Sequence, residues 1–238
     1  MTRIFLEELV VAKLAIIIVS FGRFDLTKQT LTSLFDCGID NETTITVVDN
    51  GSQPELVQML VGFRDKINHL ILLKENMGKP YALNLGIAAA NETCIVTRKT
   101  PPDYYLFCDS DLLFVDKEWK QKAIQTYQEH VGLPLCALSL VVWSSHPATD
   151  IRKGVTTQIN VTPRWPAGCC LLVSKEALQR NGLWDTRRFI GTVDSSWLRN
   201  SCNRGFVHGV VHPVGLVRHT GISQRSWSLN GFTPKLLP

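Results

Sequence analysis

"YYLFCDSDLLF", residues 104–114, is an apolar run with two aspartates, Asp109 and Asp111, set one serine apart. The aromatic and aliphatic residues before Asp109 read as a buried β-strand. Two carboxylates inside such a strand would be buried without partners, at a high cost in desolvation. The strand therefore ends at Asp109, and the chain turns there with both acids at the edge of a sheet.

The flanking sequence supplies the rest of that sheet. "KLAIIIVSF" (13–21) is a continuous β-branched run, as in a strand covered on both faces. A helix is expected over about Asp25–Phe35, with Asp25 as its N-cap. "TTITVVDNGS" (43–52) is a strand ending in Asp49, followed by a turn and a helix from Pro54. "HLILLKEN" (69–76) is a third strand, and "GKPYALNLGIAAAN" (78–91) a helix whose small residues allow close packing on the sheet. "KEWKQKAIQTYQEH" (117–130) is helical and polar. This alternation predicts an α/β fold with a mostly parallel central sheet and helices on both faces.

After about Leu133 the pattern changes. "CALSLVVW" (136–143), "GVTTQINV" (154–161) and "GCCLLVSK" (168–175) read as strands. "SKEALQRNG" (174–182) and "VDSSWLRNSCNRG" (193–205) read as short helices. "VHGVVHPVGLVRH" (207–219) closes with one or two strands. No repeat or linker divides the chain, and its 238 residues fit a single domain.

Composition narrows the class. Hydrophobic residues are 45% and charged residues 19%, a globular balance. The net charge of +4 does not by itself argue for nucleic acid. From Thr186 onward, however, Arg187, Arg188, Arg199, Arg204, Arg218, Arg225 and Lys235 face one acid, Asp194, which suits either a phosphate-bearing or acidic ligand or a plain solvated surface. Seven cysteines without CxxC spacing fit a reducing compartment better than a disulfide or zinc framework. The apolar N-terminal run is too short for a membrane span and poorly flanked for a signal peptide. The expectation is a cytoplasmic protein, with a peripheral place at the membrane as the alternative.

In open parallel sheets, ligands bind at the carboxyl ends of the strands, where strand order reverses. Three strands here end in polar residues: Ser20, Gly22 and Arg23; Asp49 and Asn50; Asp109 and Asp111. Carboxylates one residue apart can converge at a turn, and a hard divalent cation is their natural neutraliser, shared with phosphate oxygens. An Asp-x-Asp triplet alone is equally compatible with an ordinary acidic turn.

An ordered series of segments spanning most of residues 14–221 adds to this reading: "IIIVSFGR", "VVDNGS", "NMGKPYALNLGI", "LFCDSD", "AGCCLLVSKEALQRNGLWD", "VDSSWLRNSCNRGF" and "VRHTG". In that order they resemble the family 2 glycosyltransferases, whose fold is the Rossmann-like GT-A fold with a smaller acceptor-side region. The resemblance implies a nucleotide-sugar-binding half at about 14–132, an acceptor and catalytic half at about 133–221, and a tail at 222–238.

It also implies roles. Asp49 would hold the base or ribose of a nucleotide-diphosphate sugar, with Ser20, Gly22, Asn76, Gly78, Asn84 and Ser110 in the surrounding donor site. Asp109 would lie near the ribose or donor sugar. Asp111 would ligate Mn²⁺ or Mg²⁺, and His219 would either ligate the same ion or contact the diphosphate. Arg23 and Lys79, each beside a glycine, would assist the departing diphosphate or sit as solvated charges. Gly168 would let backbone approach the sugar, and Trp165 would stack on it or pack in the core. Asp194 would be the base, or cap its helix. The family usually has a Glu-Asp pair here and a further acid two residues on, where this chain has Val193 and Ser196. The implied activity is a metal-dependent inverting transfer from a nucleotide-diphosphate sugar, UDP most often, to an acceptor hydroxyl. The acceptor class stays open: a glycan, a lipid-linked sugar, a protein, a small molecule or a modified nucleic acid base. The alternatives are a sugar-nucleotide-binding protein with degraded catalysis and, last, a nucleotidyltransferase, whose longer basic loop "SFGRFDL" does not match.

Overall fold

The computed structural model describes residues 12–96, 100–142, 150–162, 166–187, 193–212 and 215–221. The central strand β1 (Leu14–Ser20) is followed by α1 (Phe24–Asp36), β2 (Thr43–Asp49), α2 (Pro54–Val61), β3 (His69–Leu72), α3 (Lys79–Val96) and β4 (Tyr104–Asp109). Then come β5 (Leu112–Phe114), α4 (Trp119–Glu129), β6 (Leu135–Ser139), β7 (Ile151–Lys153), β8 (Gln158–Thr162), β9 (Cys170–Ser174), α5 (Lys175–Asn181), α6 (Val193–Asn203), β10 (Val207–His212) and β11 (Val217–His219).

Nine strands form one sheet in the order β3-β2-β1-β4-β9-β6-β10-β8-β7. The run β3-β2-β1-β4 is parallel, β9 is inserted antiparallel between β4 and β6, and β10 pairs parallel with β6. Alternation along β1 decides the two faces. Leu14, Ile16 and Ile18 join Leu31 and Leu34 of α1, Leu56 and Leu60 of α2 and Trp119 of α4. Ala15 and Ile17 join Leu83 and Ile87 of α3 and Trp197 and Leu198 of α6. Each such aliphatic side chain contributes about 1.5–3 kcal/mol on burial. Gly86 lets α3 lie close to the sheet, because a Cβ there would come within 2.5 Å of Ile17.

Two expectations are corrected. Asp25 is not an N-cap. The chain turns at Gly22, with φ +65°, and α1 starts at Phe24, so Asp25 lies in the first turn, where its charge suits the positive helix end. "GVTTQINV" is not all strand: Gly154–Thr157 form a tight turn, with Gly154 N–H donating to Thr157 O at 2.8 Å, and β8 begins at Gln158. The short strands β5 and β7 lie where sequence periodicity predicts nothing.

β5 and β11 form a separate antiparallel pair, in which His219 is opposite Leu112. Thr30 of α1 anchors β5 by accepting from Leu112 N–H and donating to Leu112 O. This small sheet brings Thr220 back against Asp111, just beyond the end of β4.

Candidate functional site

The polar strand ends meet at the switch point around β1, and the site is built there in three connected parts.

The first part surrounds Asp49, which is fully buried. Its Oδ1 accepts from Ser20 Oγ at 3.0 Å and from Ser52 Oγ at 2.5 Å, and its Oδ2 accepts from Ser52 N–H at 2.9 Å. Ser52 Oγ also accepts from Gly22 N–H at 3.0 Å, tying the β1 turn to the β2 turn. Asn50 donates to Asn76 Oδ1 and accepts from Met77 N–H, while Gly78 N–H also donates to Asn76 Oδ1. These bonds fix the loop into α3 and set the start of that helix, with Gly78 at φ +87° and Lys79 as the first helical residue.

The second part is a carboxylate pair sharing one ammonium. Lys79 Nζ lies 2.6 Å from Asp109 Oδ1 and 2.8 Å from Asp194 Oδ2. Burial pushes Asp109 up to about 6, with Asp194 and Asp111 adding to the rise and Lys79 opposing it. Burial disfavours the charged Lys79, but the two carboxylates outweigh it and hold the ammonium well above the usual lysine range. Gly168 faces Asp194: a Cβ at 168 would lie 2.7 Å from Asp194 Cγ. The space left by that glycine is thus filled by the Asp194 side chain.

The third part is Asp111, which is 4% exposed. Arg23 pairs with its Oδ2. Its Oδ1 accepts no hydrogen bond and faces His219 Nε2 at 3.3 Å. Burial acts to raise Asp111, but His219 and Arg23 outweigh it and hold the carboxyl below its usual range; Asp111 in turn raises His219. The β5–β11 register makes this meeting, and Thr220 clamps it by donating its N–H (2.8 Å) and hydroxyl (3.0 Å) to Asp111 O.

Asp109 and Asp111 therefore do not converge on one point in this structure. Each has its own cation. Among the described residues no group of three or more His, Cys, Asp or Glu side chains is arranged to hold a metal ion. The donor set still fits one. Asp111 Oδ1 is a buried oxygen without a hydrogen bond, beside an imidazole nitrogen, and a hard divalent ion commonly takes one or two protein ligands and completes its shell with phosphate oxygens and water.

The structure brings Ser20, Gly22, Arg23, Asp49, Asn76, Gly78, Lys79, Asp109, Asp111, Gly168, Asp194 and His219 into these three parts, with Ser110 buried between the two aspartates. Asn84 lies elsewhere: its amide donates to Trp184 O and accepts from Trp184 N–H, clipping α3 to the chain after α5. Trp165 lies outside the described residues. Sequence reasoning placed Asn50 at the strand edge without a role and missed Ser52, Thr220 and Gly221. Ser52 was recoverable, since an aspartate three residues before a serine is a common turn bond. Thr220 and Gly221 depend on strand pairing, which leaves no local signal.

Comparison with known proteins places the fold. Among solved structures the chain is similar to the mannosyltransferase PcManGT from Pyrobaculum calidifontis in complex with GDP-Man and Mn²⁺, at 17% identity and a TM-score of 0.62, covering 91% of this chain and 59% of that one. It is also similar to S. aureus TarS 1–349 in complex with UDP, at 16% identity and a TM-score of 0.64, covering 91% and 63%. TarS 1–349 in complex with UDP-GlcNAc is matched at 16% identity and a TM-score of 0.60, covering 89% and 59%. At such identities the likeness establishes the fold, GT-A, and the chain spans about three fifths of those structures. No curated protein sequence matches. The family model described as glycosyl transferase family 2 matches residues 15–138, just over half of the chain, from within β1 to within β6. By that match the chain belongs to glycosyl transferase family 2.

Proposed function

We propose that the chain transfers a glycosyl group from a nucleotide-diphosphate sugar, with UDP as the nucleotide, to an acceptor hydroxyl, inverting the anomeric carbon and using Mn²⁺ or Mg²⁺. The observation that carries this reading is the cluster Asp109, Asp111 and Asp194 with Lys79, Arg23 and His219 at the carboxyl ends of β1 and β4. Similar structures hold GDP-Man with Mn²⁺, UDP or UDP-GlcNAc, which supports a sugar nucleotide here.

Asp49 and its serines form the nucleoside end, and residues 14–132 the donor half of a single catalytic unit. Asp111 and His219 would hold the ion, which when bound neutralises charge gathering on the diphosphate. Arg23 and Lys79 add fixed positive charge at the same end. The Asp194 carboxylate receives the proton of the acceptor hydroxyl as that oxygen attacks the anomeric carbon and the diphosphate leaves from the opposite face. Gly168 and Lys79 hold Asp194 at a defined place, which matters because positioning supplies much of the rate.

A second reading, donor binding without turnover, is favoured by one detail. At the position of the family's later acid, Ser196 Oγ donates to Val193 O at 3.0 Å and points back into its own helix. A thermal-shift panel of nucleotide-diphosphate sugars, with and without Mn²⁺, tests donor binding, since a ligand of the folded state raises the melting temperature. The expected result is a Mn²⁺-dependent shift for UDP-sugars that Asp111→Ala abolishes. Turnover that Asp194→Asn removes while leaving that shift intact supports the transferase. A shift with no turnover on any acceptor favours the second reading, and no shift at all sinks both.

A further inference from the structure

Arg23 holds one carboxylate oxygen of Asp111, and His219 Nε2 faces the other at 3.3 Å. Arg23 leaves the β1 turn directly after Gly22 and reaches across to Asp111, its side chain only 23% exposed. Gly221 covers the pair. A Cβ there would lie 2.7 Å from Asp111 Cγ and 2.9 Å from Arg23 Nη1, so only glycine lets the chain pass over this contact. The ion pair is thus packed and partly screened from water. The carboxylate assigned to a divalent ion is paired with the protein's own cation.

A guanidinium and a divalent ion on one buried carboxylate repel each other and compete for its charge. A diphosphate changes that balance. Its oxygens match the planar fork of a guanidinium better than one carboxylate oxygen does, and they also offer ligands to the ion. We propose that Arg23 is a built-in competitor for the divalent ion: it occupies Asp111 while the site lacks nucleotide, and yields that carboxylate when a nucleoside diphosphate arrives to receive the guanidinium. The proposal rests on the metal and nucleotide reading above. Arg23 is then a positioning residue that makes ion and nucleotide bind together, and linkage requires each to tighten the other by the same factor.

The test is calorimetric titration of Mn²⁺ into the full chain, wild type and Arg23→Gln, each with and without saturating UDP, with Asp111→Asn as the site control. The expected result is that Arg23→Gln binds Mn²⁺ alone about tenfold more tightly than wild type, the weight of a partly buried ion pair. The gain in Mn²⁺ affinity on adding UDP should shrink by a similar factor in the variant, and Asp111→Asn should bind no Mn²⁺ in either condition. Wild type that binds Mn²⁺ with UDP, beside an Arg23→Gln chain that binds Mn²⁺ alone no more tightly, overturns the competitor and leaves the metal reading standing. No Mn²⁺ binding by either chain, even with UDP, overturns both. The wild type tests the idea even without a folded variant, because Mn²⁺ affinity unchanged by UDP contradicts it.

Discussion

Gly168 and Gly51 are both glycines at the site, but the groups that face them predict different consequences. A Cβ on Gly51 would lie within 2.7 Å of Asn76 N and overlap the Glu75 backbone, and Gly51 has φ +81°. Backbone on both sides cannot yield, and the left-handed conformation is itself unfavourable for alanine. Gly51→Ala should therefore cost about 2–4 kcal/mol of stability, read from urea unfolding. A Cβ on Gly168 would lie 2.4 Å from Asp194 Cβ, an atom that the backbone of α6 fixes, so the start of α6 itself must shift. Gly168→Ala should cost about 1–3 kcal/mol, less than Gly51→Ala because Gly168 does not need a left-handed backbone. It should nonetheless lower turnover roughly 10- to 100-fold, because it pushes Asp194 away from Lys79 by a distance on the scale that misplaces a base. Unchanged turnover in Gly168→Ala would show that Asp194 is not held by this contact.

At the scale of elements, the sequence made most of the sheet readable and hid its cross-chain fasteners. The long β-branched run of β1, the Asp49 and Asp109 strand ends and the Ser174 N-cap of α5 all have local signatures. Lys79 and Asp194 are 115 positions apart, and Arg23 and Asp111 are 88 apart, so no periodicity links them. β5 and β7 have three residues each, too few for an alternation to register. The turn at 154–157 was misread because Val155, Thr156 and Thr157 favour strands when considered locally. Glu129 at the end of α4 decides the matter: its carboxylate accepts from the N–H and hydroxyl of both Thr156 and Thr157 at 2.7–2.9 Å. Slight burial acts to raise Glu129, but these four bonds outweigh it and hold the group down at about 2. A depressed carboxyl contributes stability above its unfolded value near 4.5, and loses it as pH falls from there toward 2. Glu129→Gln should cost about 1–2 kcal/mol at neutral pH, limited by solvent screening, and should flatten that acid limb. Hydrogen exchange of the β7–β8 hairpin locates the loss: faster exchange at Thr156 and Thr157 alone is the expected pattern, and unchanged exchange there contradicts the role given to Glu129.

Across the whole molecule, the sheet runs unbroken from β3 to β7, and β10 joins β6 to the β8–β7 pair. His208 lies on β10 at the contact with α6, the helix that carries Asp194, and is fully buried. Its Nε2 approaches Leu198 O at 3.1 Å and Ser201 Oγ at 3.0 Å, while its Nδ1 has no hydrogen-bond partner. The ring is therefore neutral, with the proton on Nε2 facing the carbonyl, and a second proton on Nδ1 would find no acceptor. Burial pushes His208 down to about 4. The unfolded chain binds the proton near pH 6.5 and the folded chain does not, so this contribution is complete above pH 6.5 and is lost as pH falls from 6.5 through 4. Its size is at most about 3 kcal/mol. Asp109 works in the opposite direction over part of the same range, because its raised value favours the folded state at low pH. The total pH profile thus mixes the two, and only a difference isolates the histidine. His208→Gln can still donate to Leu198 O but cannot take a proton. Urea unfolding of both proteins from pH 7.5 to pH 4 should each show a single transition, as a continuous sheet requires, and the stability of wild type relative to the variant should decline steadily below pH 6.5. Parallel pH profiles would mean that His208 accepts its proton without unfolding this junction, and that the link between β10 and α6 tolerates a buried charge.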